Sequence, residues 1–92
     1  MSNEINWYCV DLGDAITATT RLFSLQDQLT TIYQQSDNRE QMLALYRHES
    51  GEIHCKVTLY ISSAFQQALC LPDAIACKAP QHNDLTILVG KL

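Results

Sequence analysis

Met42-Leu43-Ala44-Leu45-Tyr46-Arg47-His48 and, after the Glu49-Ser50-Gly51 link, Ile53-His54-Cys55-Lys56-Val57-Thr58-Leu59-Tyr60-Ile61 form the stretch on which the fold turns. In its second half Ile53, Cys55, Val57, Leu59 and Ile61 alternate with His54, Lys56, Thr58 and Tyr60. Successive side chains of a strand point to opposite faces, so this is a strand with one apolar and one polar face. The first half, Met42 to His48, reads as its hairpin partner. A three-residue loop closed at Gly51 suits a type I turn with a bulge, because that position takes a positive φ. That loop sets Leu45 opposite Cys55 and Leu43 opposite Val57 on the core face. Tyr46 then lies opposite His54, and Ala44 opposite Lys56, on the other face. A two-residue turn would put Leu43 and Leu45 outside, so burial selects the longer loop.

Upstream, Ile5 to Leu12 is rich in aromatic and β-branched residues and reads as a strand ending at Gly13-Asp14. Ala15, Ala18, Leu22, Leu25, Leu29 and Ile32 then recur in steps of three and four, and Ile16, Phe23 and Tyr33 widen the stripe. This pattern predicts a helix of about six turns with one buried face. The alternative takes Ala15 to Phe23 as a strand paired with the first. It draws on Thr17, Thr19 and Thr20, which are weak helix formers, and on Ser24 with Asp27 as a later capping pair. Downstream, Ser63-Ala64-Phe65-Gln66 has capping-box spacing and opens a short helix to about Leu71, stopped by Pro72. Ala74 to Cys77 is a brief extended piece, Pro80 to Asp84 a turn-rich link and Leu85 to Val89 the last strand. The predicted order is strand, helix, strand, strand, helix, strand. The expected fold is α+β: a ferredoxin-like split βαβ sandwich, βαββαβ, with a four-stranded antiparallel sheet and two helices on one face.

The chain has 92 residues, enough for one core, and reads as one domain over residues 1–92. Charged residues are 17% of it and the net charge is −4, with Arg21, Arg39, Arg47, Lys56, Lys78 and Lys91 scattered. Phosphate backbones and anionic bilayers are bound by clustered cations, so neither nucleic acid nor membrane is an expected partner. No apolar run approaches the roughly 20 residues that span a bilayer. The start, Met1-Ser2-Asn3-Glu4, lacks the pattern of a leader, and three of the four cysteines (Cys9, Cys55, Cys70, Cys77) sit in apolar segments. Reduced thiols in a cytoplasmic protein are the expectation.

Candidate chemistry is thin. Cys70, Cys77 and His82 have the residue types of a zinc site but lack the close cysteine pair of zinc ribbons and fingers, and packing roles explain them. His54 and Cys55 point to opposite faces and form no thiolate pair. His48, Glu49 and Glu52 read as a solvated loop tip. Asp11 and Asp14 fit a turn and a helix start. No catalytic residue, metal ligand or cofactor is assigned, and the balance leans away from an enzyme. The aromatic residues remain. Tyr46 and Tyr60, with His54 and Lys56, are expected on the sheet face away from the helices, and together with Trp7 (or Tyr8) they are the ligand or interface candidates.

No family is identified by motif. In length and element order the chain resembles the dimeric α+β barrels, in which two ferredoxin-like chains pack sheet against sheet. Some of those are small monooxygenases, and no residue pattern here carries that activity over. Two functional expectations follow. The first is a non-enzymatic protein-interaction module, a homodimer through its open sheet face or a dock for a protein partner. The second is a small-molecule-binding protein or small enzyme with a pocket near Trp7, Tyr46, His54 and Tyr60.

Overall fold

The computed structural model describes residues 6–50 and 55–91. Its elements are β1 (Trp7–Asp14), α1 (Ala15–Gln35), β2 (Ala44–Ser50), β3 (Cys55–Ser62), α2 (Ser63–Leu69), β4 (Ile75–Cys77) and β5 (Leu85–Val89), with a single 3-10 turn at Arg39–Gln41. The long-helix reading of α1 holds, and its start is fixed locally. Asp14 is in extended backbone and its side chain accepts from the Thr17 amide, at 3.0 Å. The threonines do not break the helix: the Thr19 and Thr31 hydroxyls fold back onto the carbonyls of Ala15 and Asp27. Ala18, Leu25 and Leu29 are buried as the stripe requires, but Ile16 and Phe23 are 88% and 67% exposed.

The sheet corrects the four-stranded βαββαβ expectation. It has five antiparallel strands in the order β4-β1-β3-β2-β5. The brief extended piece after Pro72 is itself a strand, β4, held to β1 through Trp7↔Cys77, Tyr8↔Ala76 and Cys9↔Ile75. Leu85–Val89 then pairs with β2 at the opposite edge. Three residues give too short an alternation to register as a strand, so the pairing that recruits them is a tertiary event.

The hairpin register is also corrected. Leu45 pairs with Tyr60, not Cys55, and β2 runs on until Ser50 pairs with Cys55. The offset of five positions is odd, so it turns β2 over. Tyr46 and Ala44 face the helices, and Leu43 and Leu45 face away. The Gly51 loop and His54 lie outside the described residues.

The main core is on the helix side. Val10, Leu12, Ala44, Val57, Leu59, Ile61 and Val89 of the sheet meet Ala18, Leu25 and Leu29 of α1 and Phe65 of α2, with Met42 beside them. Burial of such side chains stabilises by about 1.5–3 kcal/mol each. Ser62 is fully buried at the junction of β3 and α2; its hydroxyl accepts from the Leu43 amide and its own amide donates to the Leu43 carbonyl. The capping box read at Ser63 does not form. Ser62 is the N-cap residue and makes no side-chain cap bond, and Gln66 instead donates to the carbonyl of Leu71.

The face away from the helices is not bare. Since β4 and β5 lie at opposite edges, residues 78–84 must cross the sheet, and the His82 ring stands 6.4 Å from that of Tyr60. Beneath and beside this crossover a second cluster forms: Trp7, Leu43 and Leu45 are at most 8% exposed, with Tyr60, Cys77 and Leu85 packed around them. The crossover is pinned near β5, where Arg47 Nε donates to both carboxylate oxygens of Asp84, at 3.0 and 3.1 Å. The remainder of that face, with Asp11, Arg47, Glu49, Lys56 and Thr58, is polar.

Candidate functional site

Two helices are too few for five strands. α2 packs on β1 and β3, and α1 on β1, β3 and β5. Between the first half of α1 and the β2–β5 side of the sheet this leaves a cleft of about 420 Å3. α1 contributes Ala15, Thr19, Leu22, Phe23 and Gln26 to it. Tyr46 and His48 enter from β2, Val57 from β3, and Thr86 and Leu88 from β5. Those spacings follow from periodicity: residues 15, 19, 22, 23 and 26 share one side of a helix, and Tyr46 and His48 share one face of a strand. Tyr46 pairs with Thr86 and His48 with Val57, so the floor alternates polar and apolar groups. At one end the Gln26 amide reaches the Leu88 carbonyl at 3.5 Å. None of the described lining residues is Asp, Glu, Lys or Arg. The arrangement is a mostly apolar slot between two layers with several hydrogen-bonding side chains, the usual build of a small-molecule site.

Of the described residues expected to form a site, the structure brings Tyr46 alone to this cleft. Trp7 is buried in the second cluster on the opposite face, and half-buried Tyr60 lies there under His82. Lys56 is exposed in the polar part of that face. His54 lies outside the described residues. Trp7 and Tyr60 therefore do not share a pocket with Tyr46. Thr86 and Gln26 carry no site reading in the sequence, while His48 reads there as part of a solvated loop tip and Phe23 as part of the buried stripe of α1. Only the pairing of Tyr46 with His48 on one strand face was visible, and its value depended on the register.

The thiols occupy separate environments. Cys9 and Cys77 neighbour one another between β1 and β4, where burial, then the nearby Cys9 thiol, push Cys77 up to about 11. Burial, and then Cys9, also raise the Tyr60 hydroxyl above its ordinary value. A thiol held protonated in this way is a poor nucleophile at neutral pH. Cys70 is exposed in left-handed backbone at the end of α2. Among the described residues no three His, Cys, Asp or Glu side chains gather as metal ligands, so Cys70, Cys77 and His82 do not form the set their types suggested. Among the same residues no helix is long and apolar enough to cross a membrane. Comparison with protein-family models, with curated proteins and with solved structures finds no match to this chain.

Proposed function

We propose that this chain is a small-molecule-binding protein whose ligand sits between α1 and the β2–β5 side of the sheet. The observation that carries this reading is the cleft itself. Its volume of about 420 Å3 lies in the range of roughly 300–1,000 Å3 typical of ligand pockets, as do two shallower grooves of about 440 and 540 Å3 where α1 meets α2, and its setting between helix and sheet distinguishes it from them. Leu22, Val57 and Leu88 give it apolar walls, and Thr19, Gln26, Tyr46, His48 and Thr86 give it directional contacts. A thermal-shift screen with small ring compounds tests the reading. Compounds that raise the melting temperature of the wild type should lose the effect in Leu22→Trp, whose indole fills the slot. Stabilisation that persists in a folded Leu22→Trp would place binding elsewhere.

The interaction-module reading is kept as a second proposal on a separate observation. Ile75 and Ile87 are 68% and 42% exposed and lie on the crossover side of the sheet, one at each edge. Exposed apolar groups flanking a covered strip favour contact with a second copy. Light scattering should then give a mass near twice 10.4 kDa, falling to the single-chain value in Ile75→Asp/Ile87→Asp. A monomeric wild type at micromolar concentration removes this reading.

A further inference from the structure

We infer that the cleft selects an uncharged, ring-bearing molecule with one hydrogen-bonding edge group, of the size and chemistry of a substituted indole or bicyclic phenol. This rests on the small-molecule reading above and narrows it. Size gives the first argument. The cleft, of about 420 Å3 and open to water past Phe23, has room for a bicyclic ring with a short substituent. Charge gives the second. Among the described residues the lining contains no carboxylate, ammonium or guanidinium, and His48 supplies an imidazole. The nearby charges of β2, Arg47 and Glu49, point to the opposite face and pair with each other and with Asp84. A cation entering the slot would give up hydration and meet no carboxylate among the described lining residues, and an anion would meet only the exposed imidazole of His48, a costly exchange.

Shape gives the third argument. Phe23 lines the cleft and yet is 67% exposed, so one wall of the slot is an aromatic side chain still open to water. Tyr46 stands in the same slot from the sheet side, half-buried. A flat ring between them would cover Phe23 and leave its edge toward the Tyr46 hydroxyl and the side chains of Thr86 and Gln26. Aromatic pairs gain from such offset or edge-on packing beyond the area they bury. Tyr46 would then choose orientation, because a ring N–H or O–H finds an acceptor there that a hydrocarbon does not use.

The test is a backbone-amide NMR titration of the full chain with three probes of one skeleton: indole, indole-3-acetate and tryptamine. Indole should shift amides of residues 19–26, 46–48 and 86–88, and both ions should bind at least tenfold more weakly. Tyr46→Phe should weaken indole several-fold with the amide spectrum otherwise unchanged. Equal or tighter binding of either ion at those amides would overturn the ligand class and leave the cleft as the site. Failure of all three probes to shift those amides at millimolar concentration would overturn the site as well.

Discussion

Gly90 shows how tightly one position can be fixed by both backbone and neighbours. Its φ is +109°, and a Cβ placed there would stand 2.5 Å from the Met42 carbonyl oxygen. Gly13 also has a positive φ, +84°, but nothing lies within 4 Å of where its Cβ would be. The two separate conformational strain from steric exclusion. Gly13→Ala should cost about 1–2 kcal/mol, the strain of a left-handed L-residue. Gly90→Ala adds overpacking against backbone that cannot rotate away and should cost about 2–5 kcal/mol. Urea denaturation of both variants measures this; equal losses would mean that the strand after Ile87 does not approach Met42. Gly13 itself read as a turn that ends a strand. It instead makes a bulge inside β1, where the Asp11 carboxylate accepts from the Gly13 amide and the partner register slips between Asp11 and Asp14.

At the scale of elements, the chain announces what is local and conceals what depends on cover. α1 was legible because its buried positions recur over many turns, enough to outweigh Thr17, Thr19 and Thr20. β3 was legible because Val57, Leu59 and Ile61 form a single apolar row. The face of β2 was not legible, for a physical reason. If only one side of the sheet were covered, Leu43 and Leu45 would have to face the helices. Once residues 78–84 cover part of the other side, both faces of β2 can bury apolar groups and burial no longer selects the register. Ala44 is fully buried under the helices, and Leu43 and Leu45 are buried on the other face beside Trp7. This one inversion carries Tyr46 and His48 into the cleft. The candidate site was therefore hidden behind a register that no local pattern determines. Ile16 and Phe23 escaped for a related reason, since stripe width is set by how much sheet lies under the helix, and the helix-side cover is incomplete there.

In the whole molecule two exposed ion pairs hold segments that the core does not. Arg21 of α1 meets Asp73 in the turn before β4, at 2.9 Å, and Arg47 meets Asp84 where the crossover enters β5. The Arg21 hydrogen bond lowers the Asp73 carboxyl, outweighing its partial dehydration. For Asp84 dehydration acts upward, but the hydrogen bond and charge of Arg47, with its own backbone, bring it below the ordinary value. The sign follows directly. Carboxylates lowered in the folded state contribute fully above their unfolded value of about 3.9, and lose that contribution as pH falls through the lower folded value. The wild type should therefore lose stability on acidification below about pH 4, and Asp73→Asn/Asp84→Asn should lose less over the same interval. Denaturant midpoints at pH 7, 5 and 3 compare the two; parallel acid profiles would show that these pairs do not couple to folding. Neither pair touches the cleft.

The most direct test of the account is a crystal structure of the protein soaked with a compound that passes the thermal-shift screen. The account predicts the ring between Leu22 and Phe23 of α1 and Tyr46 of β2, with Leu45 on the far side of the sheet against Trp7. A ring bound elsewhere, or Tyr46 found on the crossover face, would contradict both the proposed site and the register that builds it.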